Sequence, residues 1–130
     1  MSIRTWFADQ LRTDWASIPE LSVVRVIATE RALDTIAEPT ALIRLKRMER
    51  EPKAPLSTRR VGLLLTLISP YIDLDRAGDQ VEELIEAAMT YLGPRFPHDA
   101  AEVVGYADRL AADIPVTIIA AETAAPTEEN

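Results

Sequence analysis

The sequence predicts an α+β fold, a mostly antiparallel sheet of about four to five strands flanked by two helices. Three observations predict it. Segments of β-branched or alternating apolar residues cluster between two stretches of helical periodicity. One of those segments, Val61 to Ser69, is apolar on both faces, the pattern of a central strand covered from two sides. The 130 residues, 48% of them hydrophobic, suit one core and are too few for two.

Ser2 is placed to cap a first helix running to about Ala16, with Ile3, Trp6, Phe7, Leu11 and Trp15 on one side. Ser17-Ile18-Pro19 ends it, because proline disfavours helical geometry in the residue before it. Val23 to Ile27 reads as a first strand, and Thr29 to Ala37 as a short helix or a long connection closed by Pro39. Thr40 to Glu49 is the second strand, with Ala41, Ile43 and Leu45 toward the core, Arg44 and Lys46 outward, and Leu42 breaking the alternation. A charged, proline-punctuated loop from Arg50 to Ser57 leads into the third strand, Val61 to Ser69. There Val61, Leu63, Leu65 and Leu67 share one face, and Leu64 and Ile68 the other. Asp73 or Asp75 begins the clearest helix, in which Val81, Leu84, Ile85, Ala88, Met89 and Leu92 recur at steps of three and four. Glu82, Glu83 and Glu86 cover its other side, and Gly93-Pro94 stops it. After the turn at Phe96 to Asp99, Glu102 to Ala107 reads as a fourth strand. Arg109 to Asp113 reads as a connecting turn and Ile114 to Ala121 as a fifth strand. Residues 1–121 thus form one α+β domain, and 122–130 a flexible acidic tail.

Composition narrows the class of function. There is no cysteine, so no disulfide framework, thiolate metal site or cysteine nucleophile is available. The N-terminus lacks the apolar run of a signal peptide, and the twelve-residue stretch Val61 to Ile72 is far short of a membrane span. The expected protein is soluble and intracellular. The net charge of −7 argues against a broad nucleic-acid-binding face.

A search for chemistry is mostly negative. The one histidine, His98, lies in a proline-flanked turn, and no Gly-x-Ser-x-Gly elbow accompanies it. Gly62, Gly78, Gly93 and Gly105 are too scattered for a phosphate-cradling loop. Asp73-Leu74-Asp75-Arg76-Ala77-Gly78-Asp79 begins like a calcium loop, but its fifth and twelfth positions are Ala77 and Leu84. Without those oxygen ligands the segment reads as an acidic helix start. Glu82, Glu83 and Glu86 fall on the solvent side of their helix and read as a solvated face. No catalytic residue, metal ligand or cofactor site is assigned, and the chain is read as a non-enzyme.

One concentration of charge stands out. Arg44, Lys46, Arg47, Arg50, Lys53, Arg59 and Arg60 supply seven of the 14 positive residues. Two readings stand side by side. The cluster is a charged contact surface that meets the acidic helix or tail of another copy, or it is a solvated hairpin edge protected by positive charge.

The stretch Pro39-Thr40-Ala41-Leu42-Ile43-Arg44-Leu45, the proline-containing loop, and Arg60-Val61-Gly62-Leu63-Leu64-Leu65-Thr66-Leu67-Ile68-Ser69-Pro70 resemble the tail terminator proteins of long-tailed, siphovirus-type phages of actinobacterial hosts. The acidic-capped helix Asp73 to Leu92 and the late strand introduced by Asp113-Ile114-Pro115-Val116-Thr117-Ile118 fit the same layout. The likeness runs over about residues 3 to 121 and is one of layout, with no catalytic signature. It implies a homo-oligomer, a hexameric ring capping the head-proximal end of the tail tube. Such a ring stops tube polymerisation and gives the head–tail connector its docking surface. Its partners are then the tail tube protein and the connector, in the neck of a virion built in the host cytoplasm. DNA passes through the channel without specific binding, and no membrane is involved. An acidic chain suits that passage, since a negative lumen repels DNA. From the family only the basic hairpin is carried over, as a subunit or tube contact. The alternatives are another neck component, such as a head-closure or connector protein, and an unrelated small cytosolic binding module.

Overall fold

The computed structural model describes residues 2–50 and 58–121. The acidic tail expected at 122–130 and most of the hairpin loop, Lys53 included, lie outside the described residues. The elements run α1 (Ile3–Trp15), β1 (Arg25–Ala28), β2 (Thr40–Arg50), β3 (Thr58–Ile68), α2 (Leu74–Leu92), β4 (Glu102–Tyr106) and β5 (Arg109–Ala121). The strands form one sheet in the order β1-β2-β3-β5-β4. β1 pairs with β2 in parallel, and every other neighbouring pair is antiparallel. The fold is α+β, as the sequence predicts.

Local chemistry explains the ends of the elements. Ser2 caps α1, its Oγ accepting the Thr5 N–H at 3.0 Å. Asp73 stands at the N-cap of α2 with extended backbone but no side-chain cap bond. Pro115 sits inside β5, where a proline would normally remove a ladder bond. Its carbonyl accepts the Asp99 N–H at 3.0 Å, so the side of β5 that lacks a donor faces the 97–99 segment, and the ladder to β3 loses nothing.

Both helices pack on one face of the sheet. Phe7, Leu11 and Trp15 of α1 and Leu84, Ala88 and Leu92 of α2 close over Ile43, Leu63, Leu65, Ile114 and Val116. Trp15 meets Tyr91 edge-to-face at 6.1 Å, and Phe7 meets Phe96 in the same way at 5.2 Å. The opposite face is covered differently. The chain between β1 and β2 crosses it without forming a helix, and Ile36 and Leu33 pack there on Ile27, Leu42, Ile68 and Ala111. Leu42 is therefore buried in a second, smaller cluster, which explains its break in the alternation.

Four expectations shift. β1 begins at Arg25, two residues late, because hydrogen bonds from Leu21 and Ser22 to Ile18, and from Val24 to Leu21, hold 18–24 in turns. β3 starts at Thr58, three residues before the apolar run. Residues 109–113 belong to β5 and are not a turn; Tyr106 pairs directly with Arg109, leaving Ala107-Asp108 as the whole connection. Ala107 adopts a φ of 54° there, and with no glycine or asparagine at 107–108 the sequence carries no signal for it. Leu45, expected in the core, is 44% exposed; it still pairs with Leu63 but lies beyond the stretch of β2 that β1 flanks.

Candidate functional site

β2 and β3 run on past their neighbours. β1 pairs with β2 only from Thr40 to Ile43, and its role ends with the Thr29 N–H bonded to the Ile43 carbonyl at 3.2 Å. At the next position a side chain replaces the strand: the Glu30 carboxylate accepts the Leu45 N–H at 2.7 Å and an Arg4 N–H at 2.8 Å. Beyond that point β2 has no outer strand among the described residues. On the far side of β3, β5 continues to Ala121, while its outer neighbours end with Thr117 bonded to Pro97. The result is a three-stranded overhang made of 45–50, 58–62 and 118–121.

The overhang is both charged and apolar. Lys46 and Arg47 are exposed, and so are Leu45 (44%), Met48 (54%) and Ile119 (52%). A β-bulge at Lys46, between Leu45 and Arg47 in the pairing with β3, twists the edge and offsets the ladder. Bulges and lysines are devices that blunt a free edge against strand addition. Strand addition at this edge is therefore disfavoured. Arg47 lies over Gly62, where an added Cβ would come within 2.7 Å of the Arg47 Cγ; glycine here leaves room for the Arg47 stem, whose guanidinium pairs with Glu49 of the same strand at 3.1 Å.

The seven basic positions separate in three dimensions. Lys46, Arg47 and Arg60 are exposed on the overhang, and Arg59 is half-buried beside them. Arg50 ends β2, and Lys53 lies outside the described residues. Arg44, expected to point out to solvent, turns into a polar network on the face away from the helices. It donates to the Thr66 hydroxyl at 2.9 Å, which in turn donates to the Asp113 carboxylate at 2.6 Å. The Arg44 guanidinium sits 5.9 Å from the centre of the Tyr106 ring, whose hydroxyl accepts the Leu33 N–H at 2.9 Å. Arg44 thus ties β2, β3, β5 and the crossover together instead of pointing out to solvent.

The acidic counterpart is the outer face of α2. Asp75, Asp79, Glu82, Glu83 and Glu86 are all exposed along it. Beside its second half lies a groove of about 530 Å³ between α2 and the α1–β1 turn. Its walls carry Glu20, Glu83 and Glu86, with Ile18, Ala87 and Tyr91 supplying apolar surface. Tyr91 anchors one side: its hydroxyl donates to Asp14 at 2.6 Å, and Arg95 stacks on its ring at 4.4 Å. That hydrogen bond, with one from Gln10, holds the Asp14 carboxyl below its ordinary range, while burial first and Asp14 second push the Tyr91 hydroxyl up.

No protein-family model and no curated protein matches the chain. His98 is half-buried, with Nδ1 3.0 Å from the Phe96 carbonyl and a single bridge to Val116. The Asp73 to Asp79 segment is the start of α2. Among the described residues no helix is long and apolar enough to cross a membrane. Two groupings escaped the sequence. The Arg44–Thr66–Asp113 row joins residues 22 and 47 apart, and Asp14–Tyr91 joins residues 77 apart. The faint signal was polar residues at strand positions 66 and 113 among apolar neighbours.

Proposed function

We propose that this chain is an assembly subunit of the tail-terminator type, forming a ring on the head-proximal end of a phage tail tube. There it stops tube polymerisation and offers the connector a platform. The observation that carries this reading is the overhang, a three-stranded extension that leaves Leu45 and Met48 in solvent on the helix side of the sheet, and Ile119 on the other face with Arg47 and Arg60. Exposed large apolar side chains on an element that also carries cations are the composition of a contact surface. The layout resemblance over the β2–β3 hairpin and α2 supplies the specific assembly. Electron microscopy of particles made without the protein tests it. Abnormally long tails are expected. Tails of normal length on heads that leak DNA would replace this reading with that of a head-closure protein.

A further inference from the structure

We infer that copies of this chain join head to tail, the β2–β3 overhang of one copy seating in the groove beside α2 of the next. The occupant of the groove is thus a second copy. Two independent properties match.

The first is charge. Among the described side chains the overhang carries Lys46, Arg47, Arg59 and Arg60 against Glu49, a net +3, in a chain whose net charge is −7. Within α2 five acids face one base, Arg76, for a net −4. Such opposed patches attract over about a Debye length, roughly 8–10 Å at ordinary salt, and set orientation and encounter rate more than final affinity.

The second is shape and polarity. The groove has apolar surface from Ile18 and Ala87, carboxylates from Glu20, Glu83 and Glu86, and one cation, Arg95, stacked on the buried Tyr91 ring. On the helix side of the sheet the overhang presents Leu45 and Met48, opposite Leu63 and Val61 in the pairing, with Lys46 at the bulge between them. Methionine, long and unbranched, suits an irregular groove. An apolar anchor within a charged rim is the arrangement in which a few side chains carry most of the binding. The bulge at Lys46 and the Glu30 cap on the Leu45 N–H disfavour strand-to-strand joining at this edge, which leaves side-chain docking as the route.

The two patches are different surfaces of one chain, so their contact is heterologous and propagates into a ring or filament. The inference goes beyond the terminator reading, which requires a ring but does not say which surfaces meet.

A charge-swap experiment tests it, read by sedimentation velocity of the full chain. The unaltered protein is expected to self-associate at low salt and to dissociate as salt rises. K46E/R47E and E83K/E86K are each expected to weaken association by about tenfold or more, since like charges then face each other. An equimolar mixture of the two is expected to recover assemblies, because each reversed patch finds an opposite one. M48S, which leaves charge untouched, is expected to weaken association without changing its salt dependence. Circular dichroism of each variant separates misfolding from lost contact. A chain that stays monomeric at low salt, reversals that associate as tightly as the original, a mixture that recovers nothing, or a closed dimer as the only assembly would each overturn the proposal. Assemblies that follow the charge swap but neither bind tail tubes nor limit their length would keep this interface and remove the terminator function.

Discussion

On the helix side of the sheet, Leu63, Leu65 and Leu67 are fully buried beneath two helices. On the opposite side the same strand passes from Ile68, sealed by the crossover, through the Arg44–Thr66–Asp113 row, to half-exposed Leu64 and Gly62. One face is dry along most of its length; the other grades from apolar to polar to open. The contrast separates the part of the sheet that holds the fold from the part that carries exposed groups. A core covered by helices holds the strands in register. The graded face lets the distal third of the same strands carry charge and exposed apolar groups without unfolding the rest.

The largest effects belong to the dry face. Leu63→Ala is expected to cost about 3–4 kcal/mol, through lost transfer energy and a cavity among neighbours that cannot collapse. Ile36→Ala, in the smaller cluster under a loop that can shift inward, is expected near the low end, about 2 kcal/mol. Urea unfolding with unchanged m-values measures both. Equal losses at the two sites would erase the contrast between the faces.

Next comes the polar row. Thr66 is fully buried, and its hydroxyl both accepts from Arg44 and donates to Asp113. Thr66→Val keeps the shape and removes both bonds, leaving a carboxylate and a guanidinium short of a partner. A loss of about 1–2 kcal/mol is expected, with Thr66→Ser largely retaining stability. A neutral Thr66→Val would mean that water already satisfies these groups.

The helix side has one polar tie of its own. Tyr91→Phe removes the hydrogen bond to Asp14, at a cost of about 1 kcal/mol near neutral pH. Asp14 is held below its ordinary 3.8, so its folded form resists protonation more than its unfolded form. The stability this supplies is present above that value and is lost as pH falls through the folded pKa. The gap between the original and Tyr91→Phe is therefore expected to narrow below about pH 4. Tyr91 is shifted the other way, so its own contribution is complete below the ordinary tyrosine range and fades only as pH rises beyond it. A gap constant from pH 3 to 7 would show that the Asp14 charge takes no part.

Much of this was legible in the sequence, for reasons that differ by element. Periodicity exposed α2, because Leu84, Ala88 and Leu92 all join the core on one side of the sheet. The two-sided apolarity of 61–69 marked β3 as central. Arg44 was misread because strand alternation says only that it faces away from the helices, and that face is not solvent: Tyr106 and Asp113 reach it from distant parts of the chain. The basic cluster was visible as a run of residues, yet its division into an inward Arg44 and an outward Lys46 and Arg47 depends on the bulge and on where β1 stops. Neither is written in local composition. The groove joins Glu20 to Glu83 and Glu86, a juxtaposition that follows from how α2 packs.

The smallest expected effect tests the far margin of the graded face. The β4–β5 turn holds Ala107 at a φ of 54°, a left-handed conformation that places Cβ too close to its own carbonyl and costs roughly 1–2 kcal/mol. Glycine removes that strain, while its freer unfolded chain returns about 0.5–1 kcal/mol of it. Ala107→Gly is therefore expected to stabilise the protein by about 0.5 kcal/mol. Ala8→Gly, inside α1 on the dry face, is the control and is expected to cost about 1 kcal/mol or more, having no strain to relieve. Opposite signs at these two alanines would place stored strain in the hairpin beside Tyr106, whose hydroxyl holds the crossover at Leu33. Equal losses would mean that the turn relaxes freely and stores no strain.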